Sequence, residues 1–286
     1  MWKINSLFSC AIEVKDPEKQ IAFYKTLGMN LVYTYENHDQ KKIYLLRYLE
    51  EEAYLTLVHN YSKTGNYSPK PNDNYWKITI FSSDVDSLRN SLCQQGIKVG
   101  NPKQFLDIGY LCHLHDSENY TIELLQRDFQ CNFTPSSSTK KPSFGLITLR
   151  TKNIDKSLHF YQEILGMKIL AKMPVSSYKF TLYFLAFTED TPPSSDLESI
   201  NNREWLYKRN YTVLELQHYW DDREINSNYD LGFLQISMAC QNINNLQTHF
   251  QSYGIKTLEK KQSILNKPSF SVKDPSEICV EFIETR

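Results

Sequence analysis

Several features of large functional classes are missing from this chain. No apolar run approaches the roughly 20 residues needed to span a bilayer, so no membrane partner is expected. No block of like charge stands out. With 32 basic and 33 acidic side chains the net charge is −1, and a nucleic-acid partner, which wants a basic face, is not expected. The six cysteines (Cys10, Cys93, Cys112, Cys131, Cys240, Cys279) show no paired metal-ligand spacing. Most lie in apolar stretches and read as reduced core thiols of a cytoplasmic protein. Phosphate loop, nucleophile elbow and Cys-His pair are also missing, so hydrolase and kinase chemistry finds no support. Leu7-Phe8-Ser9-Cys10-Ala11 is too short for a secretory signal, and a first strand needs those residues.

What the chain does have is a repeat. Asp16-Pro17-Glu18-Lys19 leads through Phe23-Tyr24 to Leu27-Gly28-Met29. The phrase returns as Asp155-Lys156, Phe160-Tyr161 and Leu165-Gly166-Met167, one residue longer before its Leu-Gly-Met. Gln95-Gly96-Ile97-Lys98 answers Tyr253-Gly254-Ile255-Lys256, and Asp116 to Glu123 answers Asp274 to Glu281 at the same offset. A whole folding unit is therefore duplicated. The expected division is a first domain over 1–130, a linker over 131–143 centred on the polar stretch Thr134–Pro142, and a second domain over 144–286.

Each half divides again. Alternation predicts a strand at Phe8–Val14, then a helix on the apolar set Ile21, Tyr24 and Leu27, then strands at Met29–Tyr35, Lys42–Leu49 and Tyr54–His59. A second unit follows: strand Trp76–Phe81, helix Asp84–Gln95 with Ser83 or Asp84 as cap, and strands near Tyr110–Leu114 and Tyr120–Leu125. The second half repeats this with strand Leu146–Arg150, helix Ile154–Leu165 and strands to Leu216, then strand Leu234–Ala239, helix Ile243–Tyr253 and a last strand Ile278–Ile283. Gly28, Gly96, Gly166 and Gly254 each stand at a helix end, where a left-handed residue is wanted.

Four β-α-β-β-β units in tandem resemble the vicinal oxygen chelate superfamily. Residues 144–286 are similar to glyoxalase I through Lys179–Ala186, Val213-Leu214-Glu215-Leu216-Gln217-His218, Gly232-Phe233 and Asp274-Pro275 leading to Val280-Glu281. The first half is a more diverged copy, and the polar insertion Thr191–Asn202 sits where that family has a variable loop. The resemblance implies an α+β fold: two tandem glyoxalase-like domains whose curved, antiparallel-rich sheets surround two clefts. It also implies a monomer in which one chain replaces a two-chain dimer.

The family's divalent metal, zinc or nickel, needs four ligands per cleft. Carried over, the second half offers Leu146, Glu215, Gln235 and Glu281, and the first offers Ser9, Thr56, Lys77 and Glu123. Only the three glutamates keep the family's residue. The family pairs the opening unit of one half with the closing unit of the other. One cleft is then expected to hold Ser9, Thr56, Gln235 and Glu281, and the other Leu146, Glu215, Lys77 and Glu123. In the latter an ammonium replaces a metal ligand beside two carboxylates, as in an exchange of metal for salt bridge. The expected cofactor is accordingly none, with zinc or nickel as the alternative.

For catalysis the candidates are Glu215, Glu123 and Lys77, and for substrate binding Arg150, Asn60, Gln235 and Glu281. Arg150 and Asn60 match positions that recognise the glutamyl carboxylate of glutathione; the remaining counterparts are Glu13, Tyr219, Asp73 and Leu231, so no cleft keeps the full clamp. His59 and His218 read as rim or packing residues. Three readings follow. The first is a metal-free protein that binds a small molecule, such as a glutathione or other thiol conjugate, in its cleft. The second is an active lactoylglutathione lyase with an atypical site, and the third is a protein-binding scaffold.

Overall fold

The structure, a computed structural model, describes residues 2–37, 40–61, 67–134, 140–221, 223–226, 232–260, 263 and 267–285. Leu231 and the middle of the expected linker, 135–139, lie outside the described residues. Unit one comprises β1 (Lys3–Val14), α1 (Pro17–Thr26), β2 (Asn30–Glu36), β3 (Lys42–Arg47) and β4 (Tyr54–His59). Unit two comprises β5 (Tyr75–Ser82), α2 (Val85–Gln94), β6 (Lys103–Phe105), β7 (Gly109–His115) and β8 (Thr121–Gln126). Unit three comprises β9 (Ser143–Thr151), α3 (Ile154–Leu158), β10 (Lys168–Val175), β11 (Phe180–Ala186), α4 (Asn201–Tyr207) and β12 (Val213–Tyr219). Unit four comprises β13 (Phe233–Gln241), α5 (Ile243–Ser252), β14 (Leu258–Lys260), β15 (Ser269–Lys273) and β16 (Cys279–Glu284).

The described strands form two eight-stranded sheets, and each takes one unit from each half. The order is β14-β15-β16-β13-β1-β4-β3-β2 in one and β10-β11-β12-β9-β5-β8-β7-β6 in the other. The seams are antiparallel: β1 on β13, with Ser9 opposite Ser237, and β5 on β9, with Thr79 opposite Leu146. Strand alternation divides the side chains between two faces. Leu57, Ile80, Leu149 and Ile236 turn toward the helices and join one core. Phe81, Leu125, Leu146 and Val213 turn the other way and join a second core, from which Leu125 and Leu146 face a cavity.

Local signals account for the helices. Asp16, Asp84, Asn153 and Asn242 each cap a helix by accepting a backbone N–H three residues on. The four helix-ending glycines all have φ between +68° and +91°, where a Cβ would strain the chain. The extra residue in the second copy of the repeat has a structural counterpart. After α3 the chain runs as a π turn over His159–Ile164, and the Leu165 amide donates to Phe160 five residues back. A π turn absorbs one inserted residue without rotating the flanking Tyr161 off its face. Tyr161 therefore donates to Asp274 at 2.9 Å, as Tyr24 in α1 donates to Asp116 at 2.8 Å.

The sequence missed four of these elements: β6, β14, β15 and α4, which begins where the polar insertion Thr191–Asn202 ends. Helix α4 spans a seam between the halves. Arg203 pairs with Asp107 at 3.2 Å, Glu204 accepts from the Phe129 amide at 2.6 Å, and the Tyr207 hydroxyl donates to Ile108 O at 2.7 Å. The cysteine reading needs correction. All six are free, but Cys93 and Cys131 are exposed and Cys279 is partly so; only Cys10, Cys112 and Cys240 are core thiols. Among the described residues no helix is long and apolar enough to cross a membrane.

The two tyrosine-bonded aspartates make a prediction. Burial pushes Asp116 and Asp274 from 3.8 up to about 6, against the hydrogen bonds that favour the charged form. A carboxyl with a raised folded-state pKa binds its proton more tightly in the native chain. Stability is therefore fullest below about pH 4 for this group and is lost as pH rises through about 6, by at most about 3 kcal/mol per carboxyl. Asp274→Asn, measured by urea unfolding at several pH values, should have a shallower fall in stability over that window. An unchanged slope would refute the assignment.

Candidate functional site

On β5, Lys77 and Thr79 point to the cleft face, as do Thr148 on β9, Glu123 on β8 and Glu215 on β12. Register brings them together: Lys77 lies opposite Thr148 and beside Thr121, and Glu215 lies beside Thr148. The Lys77 ammonium donates to Glu123 Oε1 at 2.7 Å, Glu215 Oε2 at 3.3 Å and Thr79 Oγ1 at 3.3 Å. Thr79 donates to Glu123 Oε1 at 3.0 Å, and Thr148 donates to Glu215 Oε2. His113 Nε2 stands 3.1 Å from Glu123 Oε2. Trp76 presents its ring to the ammonium, 4.8 Å from centroid to nitrogen. Lys77 is 2% exposed, so this is a buried charge held by carboxylates, hydroxyl and π face rather than by water.

The electrostatics separate the two glutamates. Burial pushes Glu123 up, but Lys77 and then His113 outweigh it and hold the carboxyl well below the usual carboxylate range. Burial also pushes Glu215 up. There the neighbouring Glu123 adds to it, so the pull of Lys77 and Thr148 is overcome and the carboxyl is held above its ordinary value. Burial alone would lower the Lys77 ammonium; the two carboxylates hold it above its ordinary value. The cluster thus sets two carboxyls, shifted in opposite directions, around one fixed cation. A cavity of about 480 Å³ opens onto it, with apolar walls that include Leu146, Phe180, Leu182 and Tyr207.

The first cleft holds a different set. Ser9 Oγ and Thr56 Oγ1 hydrogen-bond each other at 2.6 Å; Gln235 Nε2 donates to Glu281 Oε2 at 2.5 Å, and Ser237 donates to the same oxygen at 2.8 Å. All five side chains are buried. The substrate-binding candidates therefore divide between two places. Gln235 and Glu281 lie here, with Asn60 donating to Glu13 at 2.9 Å at the end of the same sheet. Arg150 lies in the other sheet, donating to Gln217 at 2.9 Å, Asp73 O at 2.9 Å and Tyr75 O at 3.3 Å, with its guanidinium 5.1 Å from the Trp76 centroid. The four are not one site.

Comparison with known proteins agrees with this architecture. The family model described as glyoxalase/bleomycin resistance protein/dioxygenase superfamily matches residues 6–124 and 143–282. The chain belongs to this superfamily. It is 26% identical to the lactoylglutathione lyase of Schizosaccharomyces pombe, over 96% of this chain and 95% of that protein. It is also 26% identical to the glyoxalase I of Saccharomyces cerevisiae, over 95% and 90%. Among solved structures, glyoxalase I from Zea mays superposes with a TM-score of 0.74 at 20% identity, covering 99% of this chain and 92% of that one.

The zinc or nickel that the glyoxalase resemblance implies does not fit these donors. In the second cleft the Lys77 ammonium stands between the two glutamates, and Leu146 offers no donor atom. In the first, two hydroxyls and an amide surround one carboxylate, a weak set for a transition metal. Among the described residues no three His, Cys, Asp or Glu side chains are grouped to hold a metal ion.

Four members of the second cleft were missed from sequence: Thr79, Thr148, Trp76 and His113. Thr79 and Thr148 carry a period-2 signal, each standing two residues along its strand from a singled-out position, Lys77 and Leu146. His113 was reachable from the hairpin, since a turn at Asp116–Asn119 sets it opposite Glu123. Trp76, next to Lys77, belongs by alternation to the other face, and nothing local announces its ring under the ammonium. His218 accords with a packing role, its ring nitrogen 3.3 Å from Thr151 O. His59 lies against Tyr61 at 4.2 Å between centroids, at the rim of a separate surface groove.

Proposed function

We propose that the cleft floored by Lys77, Glu123 and Glu215 binds a small molecule without a metal ion, and that normal lactoylglutathione lyase turnover is absent. The single observation carrying this reading is the Lys77 ammonium, at 2.7 Å and 3.3 Å from the two glutamates that a metal would share. A divalent ion there would meet the repulsion of a buried cation. Displacing that cation would cost the pair its compensation. The open cavity above the cluster supports retained binding.

A second reading keeps catalysis, and one observation favours it. Burial and the neighbouring Glu123 hold the Glu215 carboxyl above its ordinary value, and it sits 3.3 Å from a fixed cation. As its carboxylate, a group of raised pKa is a stronger base than an ordinary glutamate: it takes the proton from the carbon beside a carbonyl and returns it to the neighbouring carbon, and the ammonium stabilises the enediolate oxygen between the two transfers. This is the chemistry in the names of the yeast relatives, done with a lysine.

Elemental analysis and a lyase assay on the same preparation separate the readings. Protein purified without chelator should carry less than about a tenth of an equivalent of zinc or nickel. It should also fail to isomerise the hemithioacetal of methylglyoxal and glutathione. Metal near one equivalent that vanishes in Glu215→Ala would overturn the metal-free assignment. Turnover that survives chelation and is lost in Glu215→Gln would establish the second reading.

A further inference from the structure

We infer that the edge strand β2 pairs with β2 of a second copy of this chain, antiparallel, about a two-fold axis at Thr34. Among the described strands, four stand at sheet edges: β2, β6, β10 and β14. β6 and β14 are three residues long and give a partner little to hold. β2 and β10 are seven and eight residues long, and they are the same strand of the repeat. Leu-Gly-Met leads into each, and each has a bulge near its start, between Leu31 and Tyr33 and between Ile169 and Ala171. The second half covers its copy. The Lys172 amide points away from the sheet and donates to Leu197 O of the insertion at 2.8 Å. The Lys172 ammonium pairs with Glu198 at 2.8 Å, the Lys168 ammonium donates to Asp190 O at 2.7 Å, and Pro174 has no amide to offer. In β2 the same three positions are Thr34, Asn30 and Glu36, and only a short turn from Arg47 to Tyr54 stands where the second half has its insertion.

The ladder agrees with the repeat. Asn37 N donates to Lys41 O at 3.0 Å, so by alternation the amides of Tyr35 and Tyr33 face β3 and that of Thr34 faces out. Among the described residues nothing plays the part of Leu197 for Thr34, whose side chain is exposed. The Tyr35 hydroxyl donates to Ser263 O at 3.4 Å, a contact of the side chain and not of the strand's outer backbone. What covers this edge must bring its own strand, and β2 fits itself. With the axis at Thr34, each Thr34 amide donates to the Thr34 carbonyl of the other copy. Tyr33, 58% exposed, falls opposite Tyr35 of the second copy, and this stabilising aromatic pair occurs twice. Glu36 is the only charge in the strand, and it falls beside Val32 of the second copy rather than another carboxylate. Lys42 and Arg47 stand one strand inward, opposite Glu36 and Asn30. Each sheet already holds one unit from each half, so the pairing joins two finished molecules. A contact one strand long is far smaller than the roughly 1,000 Å² of a stable interface, and the pair is a weak one.

Sedimentation equilibrium of the intact chain from about 5 to 500 μM, the range of a weak contact, should show the mean mass rising from 33.6 kDa toward twice that value. Thr34→Lys and Thr34→Glu each set two like charges face to face at the axis, and each should weaken the pairing by about tenfold or more. Mixed in equal amounts, the two variants should pair again, because a lysine then faces a glutamate. Thr34 is exposed, and urea unfolding of each variant should match that of the parent chain. A chain that stays at 33.6 kDa throughout overturns the inference. A dimer that neither variant weakens also overturns it, since another surface then holds the copies together. Variants that are weakened singly and do not recover on mixing overturn it as well, because the two Thr34 side chains then do not face each other.

Discussion

Lys77→Met should lower the stability of the folded chain by about 3–5 kcal/mol at pH 8, the usual cost of removing one partner from a buried charged pair. Methionine preserves the bulk of the side chain, so the loss reports charge rather than a cavity. What remains is Glu123 and Glu215, both buried, with no ammonium between them. Two carboxylates in that position cannot both ionise, and one must take up a proton. The sign of the pH dependence follows. With its folded-state pKa raised further, the protonated carboxyl contributes most below its unfolded value near 4.5. Its contribution is lost as pH rises, so the penalty of Lys77→Met should be smaller at pH 5 than at pH 8. Adding Glu215→Gln removes one of the facing charges and should return part of the lost stability. Urea unfolding of the single and double variants at both pH values is the measurement. A loss below about 1 kcal/mol, equal at pH 5 and pH 8, would show that the lysine is not a structural counter-ion.

Cutting the chain in the linker should have a second large effect, visible in what the pieces can do alone. Residues 1–134 and 140–286 expressed separately should each fail to persist as a folded monomer. Mixed or co-expressed, they should assemble one to one. Each seam runs through the middle of a sheet. Removing one half strips β13 from β1 and β9 from β5, and the strands left at the cut are ones that the whole chain largely buries. The halves also exchange contacts away from the seams: the Phe144 amide donates to Glu51 at 2.9 Å, and Tyr75 stacks on Phe233 at 4.9 Å. The linker contributes only an effective concentration of about millimolar, so a nicked pair should hold together at tens of micromolar. Sedimentation and cooperative unfolding decide the matter. A monomeric, cooperatively folded piece of either kind would mean that 1–130 and 144–286 are independent domains after all.

Much of this was readable in the sequence because the repeat supplied an internal alignment. Once Glu123 is paired with Glu281, and Gly28 with Gly166, the strand faces follow from alternation, and Lys77 falls beside two carboxylates. Side-chain period is a local property, so it survives without a structure. What failed to show depends on distance. Helix α4 is short and polar, and it is held by partners such as Asp107 and Ile108 about a hundred residues away. The extra residue before Leu165 was visible, but its accommodation as a π turn depends on Tyr161 keeping its bond to Asp274, a tertiary demand. The candidate substrate residues were grouped by their counterparts in a family motif. The fold instead sorts them by sheet, placing Asn60 with Glu13 and Arg150 with Gln217. Exposure of Cys93 and Cys131 was missed because an apolar neighbourhood along the chain does not say which side of a helix faces water.

The exchange of units between the halves has a consequence for how such a molecule can change. In a pair of identical subunits each substitution is written into both clefts at once, and an ammonium at the position of Lys77 would appear twice. Here the corresponding residue of the other half is Gln235, bonded to Glu281, and each cleft carries its own version of the repeated unit. Each cleft still draws strands from both halves, so neither can drift so far that its partner sheet no longer closes. Heredity has been uncoupled at the level of side chains while remaining coupled at the level of backbone. One cleft could therefore take a set of mutually bonded hydroxyl and amide groups, and the other a lysine between two glutamates, without either change being tested in both places.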